Sequence, residues 1–401
     1  MADTTRNIWN DRDGEEQQVR RKKHPVLFSL LSFLLVLVVV LCVVLFAAYR
    51  DGTGFDVLRR YLHYGKAEEV GGASIYDYDA DGTNHFAVLE DHLVVLSETA
   101  LQVLSPDGEI VWSASVNMVA PALSKGDSYA VAYDVGGTKA YIVDCYGEVM
   151  TLDTSDMDKG EGRIIAATMN EEDWLAVTME KQKYKSCVQV YDSEMELAFV
   201  FNSSRRFAMD AVVVGEGERL AAVTLGQEDS TFVSNVVLYE LTKEEPLANY
   251  DIADGLLVAI QAKQDQIISV SDTCLTYADK EGNIVASYGY GEAYLREYDV
   301  TGDDFAALQL NRYQTGSLGR LVTVGTDGAE LGVLDVSEEI LDISAAGRYL
   351  AVLYADRVVV YNQNLQVYAS LAGIDQVRGI LMRPDGSVLL LSAESAKIFL
   401  P

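Results

Sequence analysis

Three stretches decide the fold: ALQVLSPDGEIVWSASV (100–116), KAYIVDCYGEVMTLDT (139–154) and RVVVYNQNLQVYASLAG (357–373). Each reads as an apolar strand, a tight turn and a second apolar strand. The turns carry residues that tolerate positive φ, such as Asp107-Gly108, and the strands are rich in Val and Tyr, which suit a pleated surface. The same strand–turn–strand pattern begins again at Cys187, Asn235, Cys274 and Arg320, and half of it begins at Ala396.

These starts recur about every 42 residues, and each step also contains a preceding pair of apolar strands. Four short strands repeated at this spacing are the signature of β-propeller blades. The sequence therefore predicts an all-β fold, an eight-bladed propeller, or a seven-bladed one if the Asn235 unit is a long insertion. A pair of β-sandwich domains is the rival fold, and the even spacing argues against it.

The chain stops inside a blade. VLLLSA (388–393) and AKIFLP (396–401) read as the middle strands of a last blade that lacks its outer edge. ASIYDYD (73–79) precedes the first full blade and is predicted to supply that edge, which closes the ring non-covalently and leaves no long exposed edge strand.

Residues 25–49, PVLFSLLSFLLVLVVVLCVVLFAAY, carry no charge. As a helix they extend about 37 Å at about 1.5 Å per residue, enough to cross a hydrocarbon core of about 30 Å. The segment is too long for the apolar region of a cleaved signal peptide and lacks a small-x-small cleavage site. It predicts one transmembrane α-helix, with the lipid bilayer as a partner.

Four basic residues, Arg20, Arg21, Lys22 and Lys23, flank this segment on its N-terminal side, which favours a cytoplasmic N-terminus. The predicted organisation is a cytoplasmic tail (1–24), a transmembrane helix (25–49), a juxtamembrane linker (50–71) and an extracytoplasmic propeller (72–401). The predicted location is the cell membrane.

The linker contains a short amphipathic pattern, with Phe55, Leu58, Tyr61 and Leu62 on one helical face. Two arrangements fit it equally. Either the helix lies at the headgroups with Arg59 and Arg60 toward lipid phosphates, or it packs under the propeller.

The composition excludes several classes of function. The net charge of −30 argues against a nucleic-acid binder, which needs a basic footprint. Cys145, Cys187 and Cys274 fall in or beside strands of different blades, which indicates small core residues rather than disulfides. His85 and His92 have no third ligand nearby for zinc. No catalytic or phosphate-binding motif is present.

One local pattern resembles a calcium loop. Asp77, Asp79 and Asp81 alternate and are followed by Gly82, and such carboxylates can wrap a hard cation. The pattern is incomplete, because position nine of the loop is His85 and position twelve is Val88. The alternative is a polar turn between the closing strand and the first blade. Apart from this calcium site, no cofactor is predicted.

Short acidic runs recur between strands, at Glu171–Asp173, Glu244–Glu245, Asp303–Asp304 and Glu338–Glu339. They fit solvated loops. If several lie on one side of the ring, they instead form a face that attracts cations.

The basic tail, the single anchor, the segment FDVLRRYLHYG (55–65) and the propeller together resemble the membrane-anchored propeller proteins of unknown function in Gram-positive bacteria. SPDGEIVWS (105–113) is also similar to the quinoprotein-type repeat, and this resemblance implies that Trp112 docks neighbouring blades. Trp112 and Trp174 are the only tryptophans after the apolar segment, so a Trp does not recur in every blade. No quinone cofactor is predicted.

These features favour a protein-binding or scaffold module in the cell envelope, with an envelope protein as partner, over an enzyme. Propellers bind through the loops of their rigid faces. Two alternatives stay open: an envelope enzyme using the central channel, such as a quinone-dependent oxidoreductase, hydrolase or lyase, and a sensor of a glycan or small ligand.

Overall fold

The computed structural model describes residues 25–51, 56, 60, 75–79, 84–155, 162–228, 231–243, 245–252, 255–374 and 376–401. The chain divides into two compact units, residues 1–59 and 60–401. The first contains one long helix, α1 (Pro25–Asp51), whose described side chains at positions 30 and 32–44 are exposed. Across the described part of the chain, no helix has both the length and the apolar content needed to cross a membrane.

The second unit is an eight-bladed β-propeller, because its strands form eight four-stranded antiparallel sheets. A two-residue strand, β1 (Tyr76–Asp77), comes first. The strands of the first four blades follow in chain order. Blade 1 contains β2 (His85–Leu89), β3 (His92–Leu96), β4 (Ala100–Leu104) and β5 (Ile110–Ser115). Blade 2 contains β6 (Pro121–Lys125), β7 (Ala130–Asp134), β8 (Lys139–Asp144) and β9 (Gly147–Asp153). Blade 3 contains β10 (Ile164–Met169), β11 (Leu175–Met179), β12 (Ser186–Tyr191) and β13 (Leu197–Ser203). Blade 4 contains β14 (Phe207–Val214), β15 (Arg219–Glu228), β16 (Thr231–Glu240) and β17 (Pro246–Asp251).

The remaining four blades complete the ring. Blade 5 contains β18 (Leu257–Lys263), β19 (Gln266–Ser271), β20 (Cys274–Asp279) and β21 (Ile284–Gly289). Blade 6 contains β22 (Tyr294–Asp299), β23 (Phe305–Asn311), β24 (Gly319–Gly325) and β25 (Glu330–Val336). Blade 7 contains β26 (Ile340–Ala346), β27 (Tyr349–Tyr354), β28 (Arg357–Asn362) and β29 (Val367–Ala372). Blade 8 contains β30 (Gly379–Met382), β31 (Val388–Leu391), β32 (Ser395–Phe399) and, at its outer edge, β1.

The prediction of ring closure is confirmed. Tyr76 pairs with Ala396 and Asp77 with Ser395, so β1 supplies the missing outer strand of the last blade. The Asn235 unit is an ordinary blade rather than an insertion, which settles the count at eight.

Burial follows the position of each strand in its blade. The two middle strands are almost entirely buried, as in β11 and β12, whereas outer strands such as β5 alternate between exposed and partly buried residues. The core is divided among the seams between neighbouring sheets; one cluster, for example, joins Val131 and Ile142 of blade 2 to Leu175 and Val177 of blade 3. The first strand of each blade lies innermost, around the central channel, and at most seams it packs beside the first strand of the next blade, as β10 does beside β14.

Candidate functional site

Chain topology assigns every loop of the propeller to one of two faces. Because each blade is an antiparallel meander, the loop between its first and second strands and the loop between its third and fourth strands emerge at the same end. Ion pairs show that these ends coincide in neighbouring blades. Lys280, in the loop between the third and fourth strands of blade 5, lies 2.9 Å from Glu218 of blade 4 and 3.4 Å from Asp265 of blade 5.

The two faces differ sharply in charge. Over the described loops of the first face there are 20 Asp and Glu against 4 Lys and Arg, whereas the described loops of the opposite face hold 9 against 8. We call the first one the acidic face. Its loops are residues 90–91, 105–109, 126–129, 145–146, 170–174, 192–196, 215–218, 241–245 without 244, 264–265, 280–283, 300–304, 326–329, 347–348, 363–366 and 383–387.

The acidic runs singled out in the sequence divide between the faces. The loops that hold Glu171–Asp173 and Asp303–Asp304 belong to the acidic face, and so does the loop that contains Glu245. Glu338–Glu339 lies on the opposite face, where Glu338 pairs with Arg357 at 2.7 Å. The loops of three acidic runs therefore lie on one side of the ring, which is the condition for a cation-attracting face.

Charges from three blades meet near the channel mouth on the acidic face. Lys263 Nζ of blade 5 lies 3.8 Å from Glu171 of blade 3 and 3.8 Å from Asp303 of blade 6. Burial raises the pKa of the Glu172 carboxyl, and the charges of Glu171, Glu216 and Asp265 raise it further. Negative charge at this mouth thus exceeds what its lysine neutralises.

A pocket of about 380 Å³ opens on the same face between blades 5 and 6. We call it the blade 5–6 pocket. Its lining includes four residues of the buried core, Ile268, Tyr277, Val300 and Phe305, together with the exposed carboxylates of Asp303 and Asp304.

A second group of carboxylates lies on the innermost strands beside the channel. β14, β22 and β26 each carry a β-bulge near their start, and the residue after the bulge is Asp210, Glu297 or Asp342. A bulge re-aims the side chains that follow it. The sequence patterns did not indicate these residues, although Asp210 and Asp342 are each a lone acid within an apolar run, in FAMDAVVV (207–214) and ILDISAA (340–346).

Asp210 and Asp342, together with Asp299 further along β22, make hydrogen bonds to neighbouring blades. An innermost strand has one unpaired edge, so its N–H groups need acceptors from elsewhere. Asp299 Oδ2 accepts a hydrogen bond of 2.7 Å from Ala345 N, and Asp342 Oδ2 accepts one of 2.7 Å from Ile380 N. Thr168 of blade 3 likewise donates to Asp210 at 2.7 Å. These contacts cross three different blade seams.

Glu297 differs from the other channel carboxylates, because it has no hydrogen bond or ion pair with the residues that the structure describes. Burial, with a contribution from the Asp342 charge, raises its pKa to about 7. Burial also raises the pKa of Asp210 and of Asp342 to about 6 and shifts that of Asp299 upward. The channel wall between blades 6 and 7 is therefore a place where carboxyl groups bind protons near neutral pH.

The predicted calcium ligands are only partly described. Asp77 is exposed on β1, and Asp79 lies just after it, where its N–H donates to Gln102 Oε1 at 2.9 Å. Asp81 lies outside the described residues. Where the chain is described, no group of three His, Cys, Asp or Glu side chains is arranged to hold a metal ion. His85 and His92 lie at opposite ends of the β2–β3 hairpin.

Trp112 takes the docking position that the quinoprotein resemblance implies. A Cβ added to Gly147 of blade 2 would lie 2.7 Å from the Trp112 ring, so the indole packs directly on the backbone of the next blade. Trp174 packs on Gly217 of blade 4 in the same way, with a Cβ distance of 2.3 Å. Both tryptophans thus act in blade docking.

Among the basic residues near the apolar segment, Arg20, Arg21, Lys22 and Lys23 lie outside the described residues. Arg60 is 4% exposed and packs against the propeller, which decides between the two arrangements considered for this residue. Its Nη1 donates to the Asp385 carbonyl at 2.7 Å. Cys145 and Cys187 are buried and Cys274 is partly buried, and all three are free thiols.

Together, the fold and its two groups of carboxylates define an eight-bladed β-propeller with an acidic loop face and a protonatable channel. Residues 63–379 match a family of unknown function, DUF5711, and the chain belongs to this family. No curated protein sequence matches the chain.

Similar folds occur among solved structures. The computationally designed protein Ika8 is 12% identical, with a TM-score of 0.58 over 82% of this chain and 100% of that one. The C-terminal WD40 domain of Sif2 is 13% identical, with a TM-score of 0.57 over 82% and 98%. The quinohemoprotein alcohol dehydrogenase ADHIIG from Pseudomonas putida HK5 is 10% identical, with a TM-score of 0.53 over 81% and 72%. At these identities the likeness extends to the fold alone.

Proposed function

We propose that this protein is a single-pass, membrane-anchored, extracytoplasmic propeller that acts as a protein-binding or scaffold module in the cell envelope. The acidic face is its docking surface. The observation that carries this proposal is the contrast between the faces, with 20 acidic and 4 basic residues in the described loops of one and 9 and 8 in those of the other. A charge excess confined to one face orients an approaching partner and accelerates the encounter.

The rigidity of the loops supports a binding role. Many are short turns whose backbone is held by their own side chains, as where Asp192 Oδ1 accepts hydrogen bonds from the N–H groups of Glu194 and Glu196. A surface that is ordered before binding loses little conformational entropy on binding. Propellers as a class carry their functions on such loops rather than in the blades.

The anchor is supported by the sequence. Residues 25–49 are uncharged, and about 20 consecutive apolar residues suffice to cross a hydrocarbon core as a helix. The basic cluster at 20–23 fits the cytoplasmic side of a bilayer, which leaves the propeller outside.

In-cell crosslinking tests the binding role. The full-length protein is crosslinked in intact cells and the captured proteins are identified. A specific envelope protein captured by the wild type, and lost when the propeller is replaced by an unrelated domain, supports the proposal. A variant with exposed acids of the acidic face neutralised, such as Glu194→Gln with Glu196→Gln and Glu281→Gln, should lose the partner. The matched control neutralises Glu180, Glu292 and Glu394 of the opposite face and should retain it. Capture that depends on neither set contradicts docking on the acidic face.

A protease added outside intact cells tests the orientation. The propeller should be cleaved while an epitope attached to residue 1 stays protected. Cleavage of the epitope and protection of the propeller would overturn the proposed topology.

Glu297 favours one second candidate, an envelope enzyme that uses the channel. A carboxyl that has no partner among the described residues, and whose pKa is raised to about 7, has the properties of a general acid or base. A hydrolytic activity of the full-length protein that Glu297→Gln abolishes, without loss of thermal stability, would establish this candidate. Activity that survives the substitution would exclude Glu297 as the catalytic group.

A further inference from the structure

The blade 5–6 pocket combines a mixed floor with a negatively charged rim. Ile268, Tyr277, Val300 and Phe305 lie beneath the floor and belong to the buried core. The side chains of Gln264, Gln266 and Thr326 also line the pocket. A ligand that fits can therefore place both an apolar stem and hydrogen-bonding atoms in it.

The rim carries three carboxylates from two blades, Asp265 of blade 5 and Asp303 and Asp304 of blade 6. The Asp303 and Asp265 side chains are 67% and 66% exposed. Asp304 has no hydrogen bond or ion pair with any described residue. Asp265 pairs with Lys280 at 3.4 Å, and Asp303 lies 3.8 Å from Lys263. The rim therefore keeps a net negative charge through Asp304, which favours a positively charged group.

The one lysine in the lining does not reverse this charge. Lys263 is turned toward the backbone, where its Nζ donates to the Gly302 carbonyl at 2.8 Å. It shares its charge between Glu171 and Asp303, each 3.8 Å away. Its ammonium therefore supports the loop of blade 6 and leaves the rim negative.

Lysine and arginine side chains match the two parts of this pocket. Their alkyl stems bury against apolar surface while the charged head remains at a polar rim. A volume of about 380 Å³ accommodates one such side chain and adjacent backbone. The exposed carboxylate of Glu216 of blade 4 lies beyond the pocket on the acidic face, so a further positive charge on the same ligand also finds a partner.

We infer that the blade 5–6 pocket receives a lysine or arginine side chain of a basic partner polypeptide, which lies along the acidic face. This inference rests on the proposed function, since it names the chemistry of the partner that the scaffold would bind. The pocket supplies the anchoring contact, and the surrounding acids supply orientation and a salt-dependent encounter rate.

The test measures binding of a labelled peptide to the full-length protein in nanodiscs of zwitterionic lipid. The probe is a peptide of alternating arginine and serine, and its control has citrulline in place of each arginine. Fluorescence anisotropy at low salt should show binding of the arginine peptide and about tenfold weaker binding of the citrulline peptide. Equal binding of the two peptides would overturn the inference.

Three variants separate the pocket from the general charge of the face. Asp303→Asn with Asp304→Asn removes rim charge, and Thr326→Met fills the pocket without changing charge. Both of these variants should weaken peptide binding about tenfold. The matched control, Asp107→Asn with Glu109→Gln in blade 1, removes the same charge far from the pocket and should change binding less than about twofold. If the control weakens binding as much as the rim variant, or if Thr326→Met has no effect, the pocket is not the anchoring site.

Two further outcomes distinguish a failure of the pocket inference from a failure of the proposed scaffold function. If free spermidine displaces the peptide as effectively as unlabelled peptide does, the pocket is a site for small organic cations and the inference of a polypeptide is wrong. If the in-cell partner is still captured by the Asp303→Asn, Asp304→Asn variant, this inference fails while the scaffold function stands. Capture lost in this variant and retained in the blade 1 control supports both.

Discussion

The guanidinium of Arg60 donates a hydrogen bond of 2.8 Å to the hydroxyl of Tyr368, 308 positions later in the chain. It also donates to the carbonyls of Asp385 and Pro401, at 2.7 and 3.1 Å. One buried cation therefore joins blade 7 to blade 8. Because blade 8 is completed by β1, Arg60 and β1 together attach the N-terminal side of the propeller to its last strands.

Arg60→Ala is expected to lower the free energy of unfolding by about 2 kcal/mol, because it leaves two carbonyls and a hydroxyl without their charged donor. The urea midpoint of the full-length protein measures this loss. Arg60→Lys should recover only part of it, since an ammonium lacks the planar fork that reaches three acceptors. The exposed Arg348 gives the matched control: Arg348→Ala should leave the midpoint unchanged, and equal losses for Arg60→Ala and Arg348→Ala would contradict this role.

Gly108 is expected to be indispensable for ring closure. It has a φ of +82°, and a Cβ there would lie 1.7 Å from the Ile75 carbonyl oxygen, beside the closing strand. Gly136 has nearly the same φ, +84°, with no atom within 4 Å of an added Cβ. Gly136→Ala should cost only the backbone strain, about 1 kcal/mol, whereas Gly108→Ala should cost more and also displace β1.

Hydrogen exchange reports this difference locally. In Gly108→Ala the amides of β32 that pair with β1 should exchange faster than in Gly136→Ala, while those of β31 stay protected. The same exchange pattern in both variants would show that Gly108 has no specific part in the closure.

The architecture was predictable because its signals are local. A strand, a turn with Asp-Gly and a second strand repeat about every 42 residues, and the incomplete last blade indicates which segment must complete it. ASIYDYD at 73–79 was predicted to supply that edge, and Tyr76–Asp77 does. The side of the ring reached by Asp303–Asp304 follows from the order of strands alone, once the strands are known.

The orientations and hydrogen-bond partners of the channel carboxylates were not predictable, because they depend on β-bulges and on residues of neighbouring blades. The direction of the Glu297 side chain depends on a bulge that interrupts β22 after Leu295, and sequence periodicity does not show a bulge. The partner of Asp342 is the N–H of Ile380, which lies in the next blade. Arg60 was ambiguous for the same reason, because its three acceptors are more than 300 positions away.

Glu297 should make the stability of the propeller depend on pH. Its pKa is raised from an ordinary value of 4.5 to about 7, so the folded state holds this proton more tightly than the unfolded chain does. The free energy of unfolding must then fall as the pH rises from about 4.5 to about 7. Glu297→Gln removes the ionisation and should stabilise the protein at about pH 8 by about 1 kcal/mol, after allowance for screening in the channel, with no gain at about pH 4.

Urea midpoints across this pH range measure the effect. The exposed Glu281 provides the control, and Glu281→Gln should not alter the difference between the acidic and alkaline midpoints. A destabilising effect of Glu297→Gln at about pH 8 would contradict the prediction, because it would require an interaction with the carboxylate that the described residues around Glu297 do not provide.

Asp342 should show two separable effects, since it both titrates and accepts the Ile380 N–H. Its pKa is raised to about 6 by burial and by the charge of Asp299, against the effect of its hydrogen bonds. Asp342→Asn keeps an acceptor oxygen and removes the charge, so it should match or exceed the wild type at about pH 8 and lose this advantage at about pH 4. Asp342→Ala leaves the N–H without an acceptor and should be less stable than Asp342→Asn by about 1–2 kcal/mol at every pH.

Ser344 offers a matched control on the same seam, because its hydroxyl accepts the N–H of Met382 at 2.9 Å and does not titrate. Ser344→Ala should therefore lower the urea midpoint by a similar amount at all pH values. The difference between the Asn and Ala variants at Asp342 isolates the hydrogen bond, and the difference between Asn and wild type isolates the charge. Equal stability of Asp342→Asn and Asp342→Ala across the pH range would contradict this prediction, because it would mean that the hydrogen bond to Ile380 adds nothing to the stability of the seam.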